Sequence, residues 1–168
     1  MSFPNPQDWN LVVAKMNEAG EPDFLVRTNP EAKAEQPGVV EGAWYWHVDN
    51  GHSKDTPGAI PKTLALAGPN GSTLGVVRYA ANSAGKGDVK STGLEVESGQ
   101  AGDAAMHSSD TIDYEVVVSG KIDLELPGGK VRTLVPGDLL VVAGVPHAWK
   151  NPYDEDCVFL AVTLGYNA

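Results

Sequence analysis

Cysteine is nearly missing from this chain. Cys157 is the one thiol among 168 residues, so no disulfide can close within it. It sits in the apolar run Cys157-Val158-Phe159-Leu160-Ala161-Val162, where a buried, inert thiol is expected. Nothing electropositive in the sequence around it marks it as a nucleophile. Long apolar runs are missing too: no stretch approaches the ~20 apolar residues that a membrane helix needs. Residues Met1 to Asn10 carry neither the basic segment nor the apolar run of a secretory signal, so the expected compartment is cytoplasmic. Positive charge is scarce, with 12 Lys and Arg against 22 Asp and Glu and a formal net charge of −10. An acidic surface repels phosphate backbones and anionic lipids, which makes nucleic acid and membrane poor partners. The glycines at 68, 71, 75, 85 and 87 form no phosphate loop, because none leads into Lys-Ser/Thr and a helix. No Ser-His-Asp order stands out either.

Helical periodicity is also wanting, and what is present reads as all-β. Short runs of Val, Ile, Leu, Thr and aromatics lie between abundant Gly and Pro, the pattern of a sandwich or barrel within one domain. The pattern is clearest from Thr111 onward. Ile112 to Val118 is a strand broken by Ser119-Gly120. Ile122, Leu124 and Leu126 then alternate with Lys121, Asp123 and Glu125, giving one buried and one wet face. Pro127-Gly128-Gly129 is a hairpin turn before Val131 to Leu134. Pro136-Gly137-Asp138 turns into the apolar run Leu139 to Ala143, Gly144-Val145-Pro146 turns again, and Cys157 to Leu164 is a strand buried on both sides.

The first part of the chain is looser. Trp9 to Met16 and Asp23 to Thr28 pair as a hairpin around Asn17 to Gly20, and Ala43 to Val48 is an aromatic strand. Asn29 to Gly38 is expected to be a surface loop. Thr73 to Ala80 and Gly93 to Ser98 supply two more strands, with a loop from Asn82 to Ser91. Residues 1–60 are thus expected to form an N-terminal β extension packed on a barrel of residues 61–168.

Two segments carry a recognisable signature. One runs from Met106-His107-Ser108-Ser109 through Asp113-Tyr114-Glu115 to Gly120. The other runs from Pro136-Gly137-Asp138 through Gly144-Val145-Pro146-His147-Ala148-Trp149 to Asn151. Together they resemble the cupin superfamily, in its small single-barrel (type 2 conserved barrel) branch, over residues 93–164. The resemblance implies a jelly-roll, double-stranded β-helix barrel with a small-molecule pocket inside. By position, His107 and His147 match the family's first and last histidines, and Asp113 matches its glutamate, since Gly120 stands seven residues beyond. Ser109 falls where the family has its second histidine. The resemblance therefore implies a divalent metal ion, Fe(II), Zn, Mn or Ni, on His107, Asp113 and His147.

The residues themselves carry a separate argument. Strand positions two apart share a face, so Asp113, Glu115 and Val117 point the same way. A carboxylate on the inward face of a barrel costs several kcal/mol unless it meets a cation or hydrogen bonds. Two carboxyls and two histidines converging there suit a divalent ion or a proton-transfer site. Glu115 is the expected proton-transfer group, and Trp149, Val117 and Ser109 are expected to line the substrate pocket. Trp44, Tyr45, Trp46 and His47 read as core and dimer packing, while His47 and His52 could stand in for the missing histidine.

Three functions fit. A metal-assisted enzyme on a small oxygenated substrate comes first, of lyase, dehydratase, isomerase or cyclase type. An Fe(II) dioxygenase and a non-enzymatic small-molecule-binding barrel are the alternatives. A homodimer is expected, because the apolar strands near Trp9 and Trp44 leave edges for a partner to cover.

Overall fold

The computed structural model describes residues 4–53, 55–87, 97–98 and 105–167. After a 3-10 turn at Pro6–Asp8 come β1 (Leu11–Met16), β2 (Pro22–Arg27), β3 (Lys33–Gln36), β4 (Val40–Val48) and β5 (Ser72–Tyr79). Then follow β6 (Glu97–Ser98), β7 (His107–Ser108), β8 (Thr111–Ser119), β9 (Ile122–Leu126), β10 (Lys130–Leu134), β11 (Leu139–Ala143), β12 (Ala148–Lys150) and β13 (Cys157–Gly165). No described helix is long and apolar enough to cross a membrane.

Two sheets face each other. The larger has six strands in the order β11-β8-β13-β5-β4-β3, and the smaller has three in the order β10-β9-β12. From β8 onward the chain crosses between them, with β8 in the large sheet, β9 and β10 in the small, β11 in the large, β12 in the small and β13 in the large. This is the jelly-roll, double-stranded β-helix barrel expected from the sequence. Its apolar core lies where the sheets meet, with Val117, Ile122, Leu124, Leu134, Cys157 and Phe159 among its members. Each of the Val, Ile, Leu and Phe side chains contributes about 1.5–3 kcal/mol by leaving water. Burial pushes the Cys157 thiol up to about 12, in keeping with an inert role.

Two segments differ from expectation or fall outside it. Lys33–Gln36 is a strand, not part of a loop: it turns back through Pro37-Gly38 and pairs with β4 from Lys33↔Ala43 to Gln36↔Val40. A run rich in Glu, Lys and Ala lacks strand propensity, but a sheet edge supplies the backbone partners that propensity cannot predict. Of the strand expected over Gly93 to Ser98, only Glu97–Ser98 falls within the described residues, and there it is extended.

Within residues 1–60, β1 and β2 form a sheet of their own, while β4 pairs with β5 along its length. The register shifts between Trp44 and Trp46, leaving Tyr45 as a bulge. Tyr45 consequently packs on the outer side with Ala43, Val76 and Val158, under Trp9 and Leu11. Its hydroxyl donates to the Pro6 carbonyl at 2.6 Å and accepts from the Trp9 amide at 3.0 Å, which ties the N-terminal segment to the sheet.

Candidate active site

His107 and His147 meet because their backbones pair. Each amide donates to the other's carbonyl, at 2.9 and 2.8 Å, forming an isolated antiparallel bridge. Residues opposite one another in such a bridge project to the same side, and the two rings stand 4.4 Å apart, centre to centre. Each Nδ1 lies 2.9 Å from the carbonyl two residues earlier, Ala105 for His107 and Val145 for His147. A carbonyl only accepts, so Nδ1 carries the proton and the Nε2 lone pair is left for the cavity. Burial and the neighbouring His147 push the His107 pKa down to about 4, and burial lowers that of His147. Both rings are neutral at pH 7.

The carboxyls come from β8, where inward positions alternate. Asp113 lies opposite Val142 on β11 and Thr163 on β13, and Glu115 lies opposite Leu140 and Ala161. Asp113 accepts from the Thr111 hydroxyl at 2.7 Å, and Ser109 sits 2.8 Å from that same hydroxyl. Because the Thr111 proton goes to Asp113, Ser109 is the donor in the second contact. Burial raises the Asp113 pKa, opposed by the Thr111 bond and by His107. Glu115 has no such support. Its Oε2 is buried with no hydrogen-bond partner, and burial, then Asp113, push its pKa up to about 8. At neutral pH it holds its proton.

These groups line one cavity that opens to solvent. His107, Ser109, Asp113, Glu115, His147 and Trp149 all reach it. Val117 does not. It is 4% exposed and packs in the core, one inward step too deep to reach the cavity wall. His47 and His52 lie elsewhere: His47 is 3.6 Å from Asp49 beside a separate cavity, and His52 bonds Ser72 at 2.9 Å. Neither replaces the missing histidine.

The apolar wall holds residues that the sequence reading passed over or placed differently. Trp149 packs tilted against Phe159 at 5.0 Å between centroids, and Phe159 stacks with Tyr79 at 6.0 Å. Phe159, Ala161 and Thr163 all reach the cavity at alternate positions of β13, a period-two pattern visible in the sequence. Trp44, expected in core or dimer packing, lines the cavity as well. Its placement depends on Gly75 of the neighbouring strand, which no local pattern reveals.

The expected ion on His107, Asp113 and His147 meets only part of what it needs. The imidazoles offer two unprotonated Nε2 atoms, each fixed by a carbonyl in the manner of metal-binding histidines. Among the described residues, however, no three His, Cys, Asp or Glu side chains come together as a metal-holding group. Asp113 is turned to Thr111 instead.

Residues 94–163 match the sequence profile of the cupin domain. Over 50 residues the chain is 46% identical to phomopsin biosynthesis cluster protein C' of Diaporthe leptostromiformis, covering 30% of this chain and 26% of that one. Over 59 residues it is 34% identical to a cupin-domain-containing oxidoreductase of Neurospora crassa, covering 35% and 30%. The chain thus spans less than a third of the length of these curated relatives. Among solved structures, the cupin domain of Schizosaccharomyces pombe Cnp3 superposes with a TM-score of 0.53 at 11% identity, covering 93% of this chain and 87% of that one. That likeness concerns the fold.

Proposed function

We propose, for a chain that carries a small single-barrel cupin domain, that the cavity is the active site of an enzyme moving a proton on a small oxygenated molecule. One observation carries the reading: Glu115 Oε2 is buried and unpartnered in the same cavity as two imidazoles whose Nε2 lone pairs are free. A carboxyl in that setting is a held acid, and a neutral imidazole on the same cavity wall is a base. Glu115 donates its proton to a substrate carbonyl or leaving oxygen, and Nε2 of His107 or His147 takes one from the adjacent carbon. On a carbonyl compound that pair of transfers gives an enol, the first half of an isomerisation; on a hydroxyl compound it expels water and leaves a carbon–carbon double bond, a dehydration. Asp113, held by Thr111, favours the imidazolium that forms and steadies the acid beside it. The Diaporthe relative, from a biosynthesis cluster, supports a role in small-molecule metabolism.

The test is Glu115→Gln, which keeps the shape and removes the acid. Turnover should fall by roughly a hundredfold to ten-thousandfold, the range for one general acid. Full activity in a folded Glu115→Gln protein would sink the assignment.

A second reading has its own support. Two adjacent unprotonated Nε2 atoms are also what a divalent ion seeks, and the Neurospora relative is named as an oxidoreductase. Elemental analysis of protein purified without added metal separates the two. In the metal-assisted reading, His107→Ala and His147→Ala each lower metal content, and an Fe(II) oxygenase consumes oxygen on turnover.

A further inference from the structure

The cavity has an aromatic floor whose construction is unusual in one respect. Trp44 lies flat against its own sheet, and it can do so only because glycines lie beneath it. A Cβ on Gly42 would come within 2.9 Å of the indole, and one on Gly75, the residue paired with Trp44, within 2.8 Å. Both distances are below ordinary contact, so any side chain at either place would displace the ring. The indole is also pinned at its edge, with Nε1 donating to the Ala65 carbonyl at 2.8 Å. Two glycines and a hydrogen bond thus hold a large ring face-on within a cavity wall, although its burial alone would be served by any packing. A second aromatic surface comes from Trp149 on β12 of the small sheet, packed at a tilt against Phe159.

The polar end of the same cavity is rich in acceptors. It presents the two imidazole Nε2 atoms, while Asp113 is occupied by Thr111. Glu115 faces it with an unpartnered oxygen, which an ionised carboxylate could leave bare only at a cost of solvation. An anion placed there meets two carboxyl groups and two lone pairs, and Asp113, the carboxylate a cation would seek, is already bonded to Thr111. A hydroxyl group donates to an imidazole and accepts from the carboxylic acid.

We propose that the cavity takes a neutral, planar aromatic compound bearing a hydroxyl or carbonyl group, its ring stacked on Trp44 and its oxygen placed between the imidazoles and Glu115. This deepens the proton-transfer reading and rests on it for the location of the site. Stacking on a fixed indole rewards a flat ring over a puckered one of equal size. The acceptor-rich end rewards a neutral hydroxyl over a carboxylate.

Four probes of one ring size decide it in ligand-observed NMR titrations: p-cresol, benzoate, cyclohexanol and benzyltrimethylammonium. p-Cresol should bind roughly tenfold more tightly than each of the others, a difference that one stacked aromatic pair or one misplaced charge produces. Trp44→Leu should bring p-cresol down to the level of cyclohexanol. Gly42→Ala, which pushes the ring aside and keeps the indole, should do the same where Trp44→Leu does not fold. Benzoate or the ammonium compound binding as tightly as p-cresol overturns the proposal, and so does cyclohexanol matching it on the unaltered protein. Binding is read without turnover. A protein that stacks p-cresol yet keeps full activity in Glu115→Gln therefore refutes the proton-transfer reading and upholds this one.

Discussion

Glu115 and His107 are displaced from their ordinary pKa values in opposite directions, and their effects on stability have opposite signs. Glu115 rises from 4.5 to about 8 because burial penalises its charge. Between those values the folded protein binds more protons than the unfolded chain, so this contribution is full below pH 4.5 and is lost as pH rises through 8. His107 falls from 6.5 to about 4, so between those values the folded state binds fewer protons and stability drops as pH falls. Melting curves should therefore show wild-type Tm declining from about pH 6.5 to 8, with Glu115→Gln flattening that decline. The low-pH loss should persist in Glu115→Gln and shrink in His107→Ala. An unchanged alkaline slope in Glu115→Gln would mean that the carboxyl is already ionised when folded.

At the scale of the element, the turn between β8 and β9 is held by a glycine with no substitute. Gly120 has φ +70°, and a Cβ there would meet the Asp156 carbonyl oxygen at 2.0 Å, backbone against backbone. Gly129, in the next hairpin, has φ +73° with nothing within 4 Å. The pair separates conformational strain from collision. Gly129→Ala should cost about 1 kcal/mol for the left-handed backbone alone. Gly120→Ala should cost on the order of 3 kcal/mol or more, because the β8–β9 turn must also move away from the loop before β13. Denaturant titration checks both, and equal losses would show that the loop at Asp156 yields easily. Asn151 explains that loop's order: fully buried, it donates to the Tyr79 and Glu155 carbonyls at 3.1 and 2.8 Å and accepts from the Tyr153 amide at 3.0 Å.

For the whole molecule, the expectation of a homodimer stands as a proposal with two apolar surfaces in its support. On one face of the β1–β2 hairpin, Val12 pairs with Val26 and Phe24 with Ala14, and Val12, Phe24 and Val26 are 58%, 70% and 53% exposed. An isolated two-stranded hairpin is marginal in water unless something covers it. On the large sheet, the edge strand β11 leaves Leu139 at 84% and Val141 at 56% exposed, next to Tyr114. A second copy could cover both the edge and the hairpin. Sedimentation at micromolar concentration should give a particle of two chains, and Phe24→Ser combined with Leu139→Ser should shift it toward one. A particle of one chain for the unaltered protein would refute the dimer.

What the sequence determined by itself is what depends on neighbours in the chain. Turns with Gly and Pro, and alternation along β8, β9 and β13, gave the all-β barrel and the shared face of Asp113 and Glu115, because a strand repeats every two residues wherever it lies. The signature around His107 and His147 picked out two rings that the fold brings together in one cavity. What the tertiary structure decided depends on contacts between distant segments. β3 is a strand because β4 lies beside it, and Val117 leaves the cavity for the core because the small sheet closes over it. Trp44 becomes cavity wall because Gly75, 31 positions on and paired with it, has no side chain. Asp113 turns to Thr111, while Glu115 is left with a bare oxygen. A carboxyl's protonation depends on which partners the fold brings to it, and residue spacing does not carry that information.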